Sequence, residues 1–417
     1  MTTGCTERYE RGLAILRRIG GEDFDGPVNR LAQVSPDLAR FTVEYPYGDV
    51  LAREGLDLRV REICVVASLI AQGSVQSQLQ FHMNGLLNAG GRTEDLVEIL
   101  FLATAILGFP AAINAIGIVR QIFSERDIAF VPAREIDSDG TDRYGRGLRS
   151  FCDLMAGSDP SHFVAQLSEI SPELAQWSIE FAFGDVLARE GLDGKVKQLA
   201  IVSMMATVGN RAEALRLHVA GALGCGATKA EIIEVLIQIS VYAGFPTALN
   251  AFAVVRDVVE NPPVSSKADA VTRTDARQSE KNIVRRDRGL AALAATSSAS
   301  GEAVVRSFDD IAPEIGRMIL EHSYGDIFHR PGISAKIREL TACAALASRG
   351  TVTTETPLRV HINAALTAGA SPTEVIETLL NVLPYAGYPA VQQAMQVASE
   401  ELQKRGIGAR KAGDRAQ

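Results

Sequence analysis

Three histidines, His82, His218 and His361, recur at matched places in this chain, the first two 136 residues apart and the last two 143. An imidazole with an unperturbed pKa near 6.5 takes or gives a proton at neutral pH, which suits it to general acid/base work. The chain has only six histidines, so three in register point to one acid/base geometry written three times. A carboxylate precedes two of them: Glu62 lies 20 residues before His82 and Glu339 lies 22 before His361, while Gln198 holds that place before His218. Glutamine keeps a hydrogen bond but cannot shuttle a proton, so the second pair is expected to be altered. Glu44, Glu180 and Glu321 each stand four residues ahead of a Gly-Asp pair, whose acids are Asp49, Asp185 and Asp326. An aspartate there suits a turn or a helix cap. The glutamates are candidates for substrate contact, where two acids in one site would hold a raised pKa. Arg53, Arg189 and Arg330, five residues past each glycine, could grip a substrate carboxylate or remain solvated loop charges. Tyr242 and Tyr385 stand before Ala-Gly where the first copy has Ile106; such a tyrosine either donates to a substrate oxygen or packs. The third copy adds His322 and His329, which with Glu321, Glu339 and His361 could build a richer polar site, or a metal site of His and carboxylate type.

The elements that must position these residues also come three times. GDVLAREGLD at 48–57 returns letter for letter at 184–193, with a worn copy, GDIFHRPGIS, at 325–334. Each repeat opens with a short helix (9–19, 144–156, 288–295). A second helix starts after Ser35-Pro36, Ser171-Pro172 or Ala312-Pro313, since proline in the first turn removes an N–H that had no partner. After the Gly-Asp turn come two longer helices, 59–72 and 76–88 in the first copy, the second ended by Gly90, Gly226 or Gly369. Thr228 with Glu231 and Ser371 with Glu374 read as capping boxes; Arg92 and Asp95 make a weaker cap. The next helix runs to Gly-aromatic-Pro (Gly108-Phe109-Pro110, Gly244-Phe245-Pro246, Gly387-Tyr388-Pro389), where proline is expected to break it, and a last helix follows (111–125, 247–260, 390–404). Alternation of period two is hard to find, so the chain reads as all-α. The domains are repeat 1 at 1–126, repeat 2 at 143–260 and repeat 3 at 286–405, with linkers 127–142 and 261–285 and a basic tail 406–417.

Net charge is −8 and the sequence pI is near 5.5, with both signs interspersed, which argues against a nucleic-acid face. No signal peptide is evident in MTTGCTERYERG. The longest apolar stretch, 96–106, carries Glu98 and is too short to span a bilayer. Five widely spaced cysteines without a CxxC fit a reduced, cytoplasmic protein, with Cys64 and Cys343 as small buried hydrophobes. No Walker A loop, GxSxG, HExxH or dinucleotide fingerprint is present, so no cofactor is implied.

The string FAFGDVLAREGLD, LRLHVAGALGCGATKAEIIEVL, VYAGFPTALNAF of the second copy resembles the carboxymuconolactone decarboxylase and alkylhydroperoxidase D superfamily, and the likeness covers nearly all of the chain outside the linkers. The resemblance implies an all-helical fold assembled as trimers or hexamers with sites where subunits meet. Three fused copies would form a pseudo-trimer, and a homodimer of them a pseudo-hexamer. It also implies a Glu–His proton relay at Glu62–His82 and Glu339–His361. The peroxidase branch needs a CxxC just before the histidine, because one thiolate attacks the peroxide and a second thiol resolves it. Those places hold Val75 and Gln78, Arg211 and Ala214, Thr354 and Pro357, so the chain is similar to the decarboxylase branch. The expected activity is cofactor-independent acid/base chemistry on a small cyclic, carboxylated or lactone substrate: decarboxylation, or a ring-opening, isomerising or ring-forming variant. His82, Glu62, His361, Glu339 and His218 would be catalytic. Glu44, Glu180, Glu321, Arg53, Arg189, Arg330, Tyr242, Tyr385 and His322 would bind substrate. A scaffold that keeps the fold without the chemistry is the second reading, favoured by Gln198 and Ile106, and a metal-dependent enzyme at the third repeat is the third.

Overall fold

The computed structural model describes residues 7–73, 75–132, 142–155, 157–261, 282–311, 313–350 and 355–407. Most of both linkers and of the tail, with Ala312 and Thr354, lie outside the described residues. Among those residues every regular element is helical. The chain divides into two compact units, one holding repeats 1 and 2 and the other holding repeat 3.

Within the first unit the two repeats follow one plan. Helices Glu7–Gly20 and Arg143–Leu154 open them. Two short helices follow in each, Gly26–Val34 and Pro36–Thr42, then Pro160–Ser168 and Pro172–Trp177. The earlier one of each pair has no counterpart in the sequence reading. Ser35 and Ser171 accept from Leu38 N–H and Leu174 N–H, as N-caps do.

The Gly-Asp turn is itself helical. Residues Val43–Leu51 and Ser178–Leu187 wind as π-helices, with Ala52 N–H donating to Tyr47 O and Ala188 N–H to Phe183 O, five residues back. Such wide turns are rare, cluster at functional sites and re-aim side chains. The repeated decapeptide is used nearly letter by letter. Leu51 and Leu187 are buried. Asp49 takes Arg8 and Arg11, and Asp185 takes Arg143 and Arg146. Asp57 and Asp193 cap the next helix by accepting from Arg59 N–H and Val196 N–H.

That next helix, Leu58–Gln72 or Gly194–Val208, is the centre of the unit. From Arg61 to Ala71 every residue of the first is buried. The two helices pack on each other, Ser203 Oγ donating to Cys64 O at 2.6 Å and Ser68 Oγ meeting Thr207 Oγ1 at 2.7 Å. Histidine helices Gln76–Asn88 and Ala212–Gly224 lie alongside. Helices Thr93–Ile106 and Lys229–Tyr242 then lead to the Gly-aromatic-Pro. The break falls on the glycine rather than the proline: Gly108 and Gly244 have φ of 90° and 86°, a region open to glycine. Proline then sits in the first turn of Phe109–Glu125 and Phe245–Glu260. The cap at Arg92 is stronger than its letters suggest, because Asp95 accepts from Arg92 N–H and binds the side chains of Arg59 and Arg92.

The unit of repeat 3 has the same order: Asn282–Thr296, Ser298–Arg306, Pro313–Met318, the π-helix Ile319–Phe328, Ala335–Arg349, Glu355–Thr367, Pro372–Leu380 and Leu383–Lys404. Its first helix starts six residues before 288 and takes in part of the expected 261–285 linker, because Arg285 is buried on Asp326 and Glu321. Its core joins Cys343, Leu346, Leu358, Ile362, Val375, Leu379, Val391 and Val397. Burial pushes the Cys64 and Cys343 thiols up to about 12, consistent with small buried hydrophobes.

Candidate active site

Helices Leu58–Gln72 and Gln76–Asn88 bring Glu62 and His82 together, with His82 Nδ1 2.8 Å from Glu62 Oε2. Both are buried. A carboxylate only accepts, so Nδ1 carries the hydrogen and Nε2 faces the other way. What Nε2 faces comes from the other repeat. The Tyr242 hydroxyl, at the end of helix Lys229–Tyr242, lies 3.4 Å from Nε2, and its ring meets the imidazole edge-on at 5.2 Å. Enclosure, followed by the charge of Glu62 and the nearby Tyr47, raises the Tyr242 hydroxyl well above its ordinary pKa, so it stays a donor at neutral pH. The second carboxylate oxygen, Glu62 Oε1, is buried with no hydrogen-bond partner. Gly85 makes room for this pair: a Cβ there would stand 3.1 Å from Glu62 Oε2.

Tyr47 borders the group, and Tyr45 ties the same π-helix to repeat 2. Tyr47 is held protonated by burial first and by Glu62 second. Tyr45 bonds Ser240 Oγ at 2.6 Å and stacks on Phe245 of repeat 2 at 5.6 Å. Gln72 donates to Tyr242 O, fixing the loop that presents the tyrosine. The site thus draws Tyr47, Glu62 and His82 from repeat 1 and Tyr242 from repeat 2.

The matching place in repeat 2 has lost every ionisable partner. His218 Nδ1 lies 2.7 Å from Gln198 Oε1, and Gln198 Nε2 donates to Leu154 O at 2.8 Å. Phe181 and Phe183 replace the two tyrosines, and Ile106 replaces Tyr242. Burial without a charge partner drops His218 to about 4, so the ring is neutral at pH 7. Phe181 packs on Phe109 at 5.8 Å, keeping the aromatic contact that Tyr45 and Phe245 make.

In repeat 3, His361 Nδ1 lies 2.6 Å from Glu339 Oε2, and Glu339 Oε1 is buried without a partner. Tyr324, the counterpart of Tyr47, is raised to about 12 by burial and then by Glu339. Phe328 covers the imidazole at 6.1 Å. Tyr385, the counterpart of Tyr242, is 85% exposed and so is not enclosed against its own His361 as Tyr242 is against His82.

Several expected substrate binders are placed elsewhere. Glu44, Glu180 and Glu321 are buried beside arginines: Arg8 at 3.7 Å, Arg143 at 3.1 Å, and Arg317 and Arg285 at 2.9 and 3.3 Å. Arg53 and Arg189 face protein carboxylates rather than an open site. Arg53 binds Glu234 of repeat 2 and Arg189 binds Glu98 of repeat 1, each at 2.8 Å. Buried Arg61 shares Glu234, and Arg189 also lies over the Phe101 ring at 3.5 Å. These pairs link the two repeats. Arg330 is half-buried. His322 turns to Asp326, 3.4 Å away, and His329 is exposed. Among the described residues no three of His, Cys, Asp or Glu gather as a metal-holding group, and the third-repeat cluster is divided between the Asp326 network and the Glu339–His361 pair.

Sequence reasoning missed Arg8, Arg143 and Arg285 as anchors, although RxxRGL recurs at 8–13, 143–148 and 285–290. It also missed Tyr47, whose signal was the aromatic before each Gly-Asp.

The carboxymuconolactone decarboxylase family profile matches residues 36–121, 172–257 and 313–400, one stretch in each repeat. An uncharacterized 15.0 kDa protein of Paracoccus denitrificans is 34% identical over 94 residues, 22% of this chain and 69% of its own. The 4-carboxymuconolactone decarboxylase of Acinetobacter baylyi is 26% identical over 124 residues, 30% of this chain and 92% of its own. The nitrosuccinic acid decarboxylase of Metarhizium robertsii is 34% identical over 83 residues, 20% and 57% of the two chains. No helix among the described residues is long and apolar enough to cross a membrane.

Proposed function

Because the chain belongs to the carboxymuconolactone decarboxylase family, we propose that it is a decarboxylase whose reaction runs at His82, on a small carboxylated substrate with a carbonyl or lactone conjugated to the departing carboxylate. The observation that carries this reading is the series Glu62–His82–Tyr242, assembled from two repeats around a buried carboxylate. The two named decarboxylases among the relatives support the reaction class.

The step balances without a cofactor. The bond from the substrate carbon to its carboxylate breaks, carbon dioxide leaves, and the electron pair enters the conjugated carbonyl as an enolate. Tyr242 O–H donates to that oxygen as charge develops, a contact worth most in a water-poor site. With a second proton taken up on Nε2, His82 acts as the imidazolium: it delivers that Nε2 proton to the carbon, is left as the neutral Nδ1–H ring, and is recharged by a proton from solvent. Glu62 holds the Nδ1–H, orients the ring and balances the imidazolium. His218, with Gln198 in place of a carboxylate, takes no part.

The test is carbon dioxide release from carboxymuconolactone and a panel of cyclic unsaturated acids. His82→Asn should lose at least 100-fold in kcat/KM, in line with the usual contribution of a general acid, while His218→Asn should stay within about threefold. No release from any member, or equal losses in the two variants, sinks the assignment.

A further inference from the structure

Repeats 1 and 2 differ behind their last helices. In repeat 1 the chain leaving helix Phe109–Glu125 folds back: Ile128 N–H donates to Phe123 O, and the Phe130 ring lies 5.3 Å from the Phe123 ring. Phe123, Val97 and Ile116 are all buried there. In repeat 2 Val259, Ile233 and Phe252 hold those three places, and a cleft of about 380 Å³ opens among them, walled also by Leu236 and Val255. Ile233 and Phe252 are half-buried. Two sequence differences leave this room. Val259 is smaller than Phe123, and Ser266 stands at the place of Phe130, with no aromatic residue anywhere between Phe252 and Phe308.

The walls are apolar, and the rim is charged. Lys229, Arg256 and Glu260 line it, and all three are exposed. Arg256 is paired with Glu260, Nε to Oε1 at 3.1 Å. Lys229 makes no ion pair among the described residues, so the rim keeps one cation to spare; Thr93 is the matching residue of repeat 1. Apolar walls with one or two polar groups at the edge, in a volume of about 300–1,000 Å³, are what small-molecule clefts present. We infer that this cleft binds a small aryl-alkyl carboxylate, its ring taking the part that Phe130 plays in repeat 1 and its carboxylate resting on Lys229. Ring burial supplies most of the attraction, and the charge-assisted contact sets the orientation. None of the lining residues belongs to the His82 site, and binding is read without activity.

The test is an NMR titration of the methyl-labelled full chain with 4-phenylbutyrate. The Ile233, Leu236, Val255 and Val259 methyls should shift together and saturate at millimolar ligand, while the Val97 and Val119 methyls of repeat 1 stay in place. Lys229→Gln, a surface change, should weaken binding about tenfold, the worth of one charge-assisted contact. 4-Phenylbutanamide, of the same shape without the charge, should bind the wild type about tenfold more weakly too. Val259→Phe, which restores the ring of repeat 1, should abolish binding with helical circular dichroism unchanged. Shifts confined to other parts of the chain, an affinity that Lys229→Gln leaves intact, or binding that persists in Val259→Phe overturns the proposal.

Discussion

Replacing Gln198 by glutamate would restore to repeat 2 the carboxylate that repeats 1 and 3 carry. The change is nearly isosteric, and the group already lies 2.7 Å from His218 Nδ1. His218 is held at about 4 by burial, so at pH 7 about one ring in 1,000 is protonated. An opposite charge at hydrogen-bond distance favours the charged form by about 1–3 pKa units. Taking about two units, His218 moves to about 6, worth about 2.7 kcal/mol, and about one ring in ten is protonated at pH 7. The new carboxylate loses the Gln198 bond to Leu154 O and sets an oxygen against that carbonyl, which costs about 1–3 kcal/mol of stability. Imidazole NMR titration from pH 3 to 9 reads the shift directly. In the wild type the unfolded chain binds the His218 proton and the folded one does not between about pH 6.5 and 4, so stability falls as pH drops through that window, by about 1.4 kcal/mol per unit. In the variant that loss should largely vanish. A folded variant whose His218 still titrates within half a unit of 4 would refute the view that the residue at this place decides which histidine can carry a proton.

Other outcomes follow from the same geometry. Glu234→Gln leaves Arg61 buried without its carboxylate and should destabilise the first unit by about 3–5 kcal/mol in denaturant unfolding; a loss under about 1 kcal/mol would show that Arg61 finds another acceptor. Asp185→Asn takes one of two carboxylates from Arg143, which is 1% exposed and keeps Glu180 at 3.1 Å, and should cost less, about 1–3 kcal/mol, read as an earlier melting transition. Tyr242→Phe keeps the ring against His82 and removes the donor, so decarboxylation should fall at least tenfold with the melting temperature nearly unchanged; full activity would remove Tyr242 from the mechanism. Gly85→Ala places a methyl 3.1 Å from Glu62 Oε2 and should displace the carboxylate, cutting activity more than stability.

Local features were legible in the letters. Helix periodicity, proline at N1, Ser and Thr caps and the glycines of positive φ each act over a few residues, and so mark their own places. The Glu62–His82 and Glu339–His361 pairs were legible because each joins neighbouring helices about 20 residues apart, and the resemblance named the partners. What crosses between repeats was not. Tyr242 is 160 residues from His82, and Glu234 is 181 from Arg53. Nothing in the spacing says which repeat supplies the partner, or that an arginine kept in three copies is taken up by a protein carboxylate. The π-helices were hidden for another reason: their extra residue per turn leaves the apolar pattern close to that of an ordinary helix, and only the five-residue hydrogen bonds reveal them.

The joining of repeats 1 and 2 in one polypeptide has a consequence for how their sites can change. A homodimer related by a two-fold axis must write every substitution twice, so a tyrosine gained at one mouth appears at both. Here position 242 is tyrosine while its mate, 106, is isoleucine, and 62 is glutamate while 198 is glutamine. Covalent linkage frees each half to mutate alone: one becomes the donor of a tyrosine, the other the owner of the imidazole that receives it. The decapeptide that fastens the halves has stayed identical, because in it both copies still do the same task.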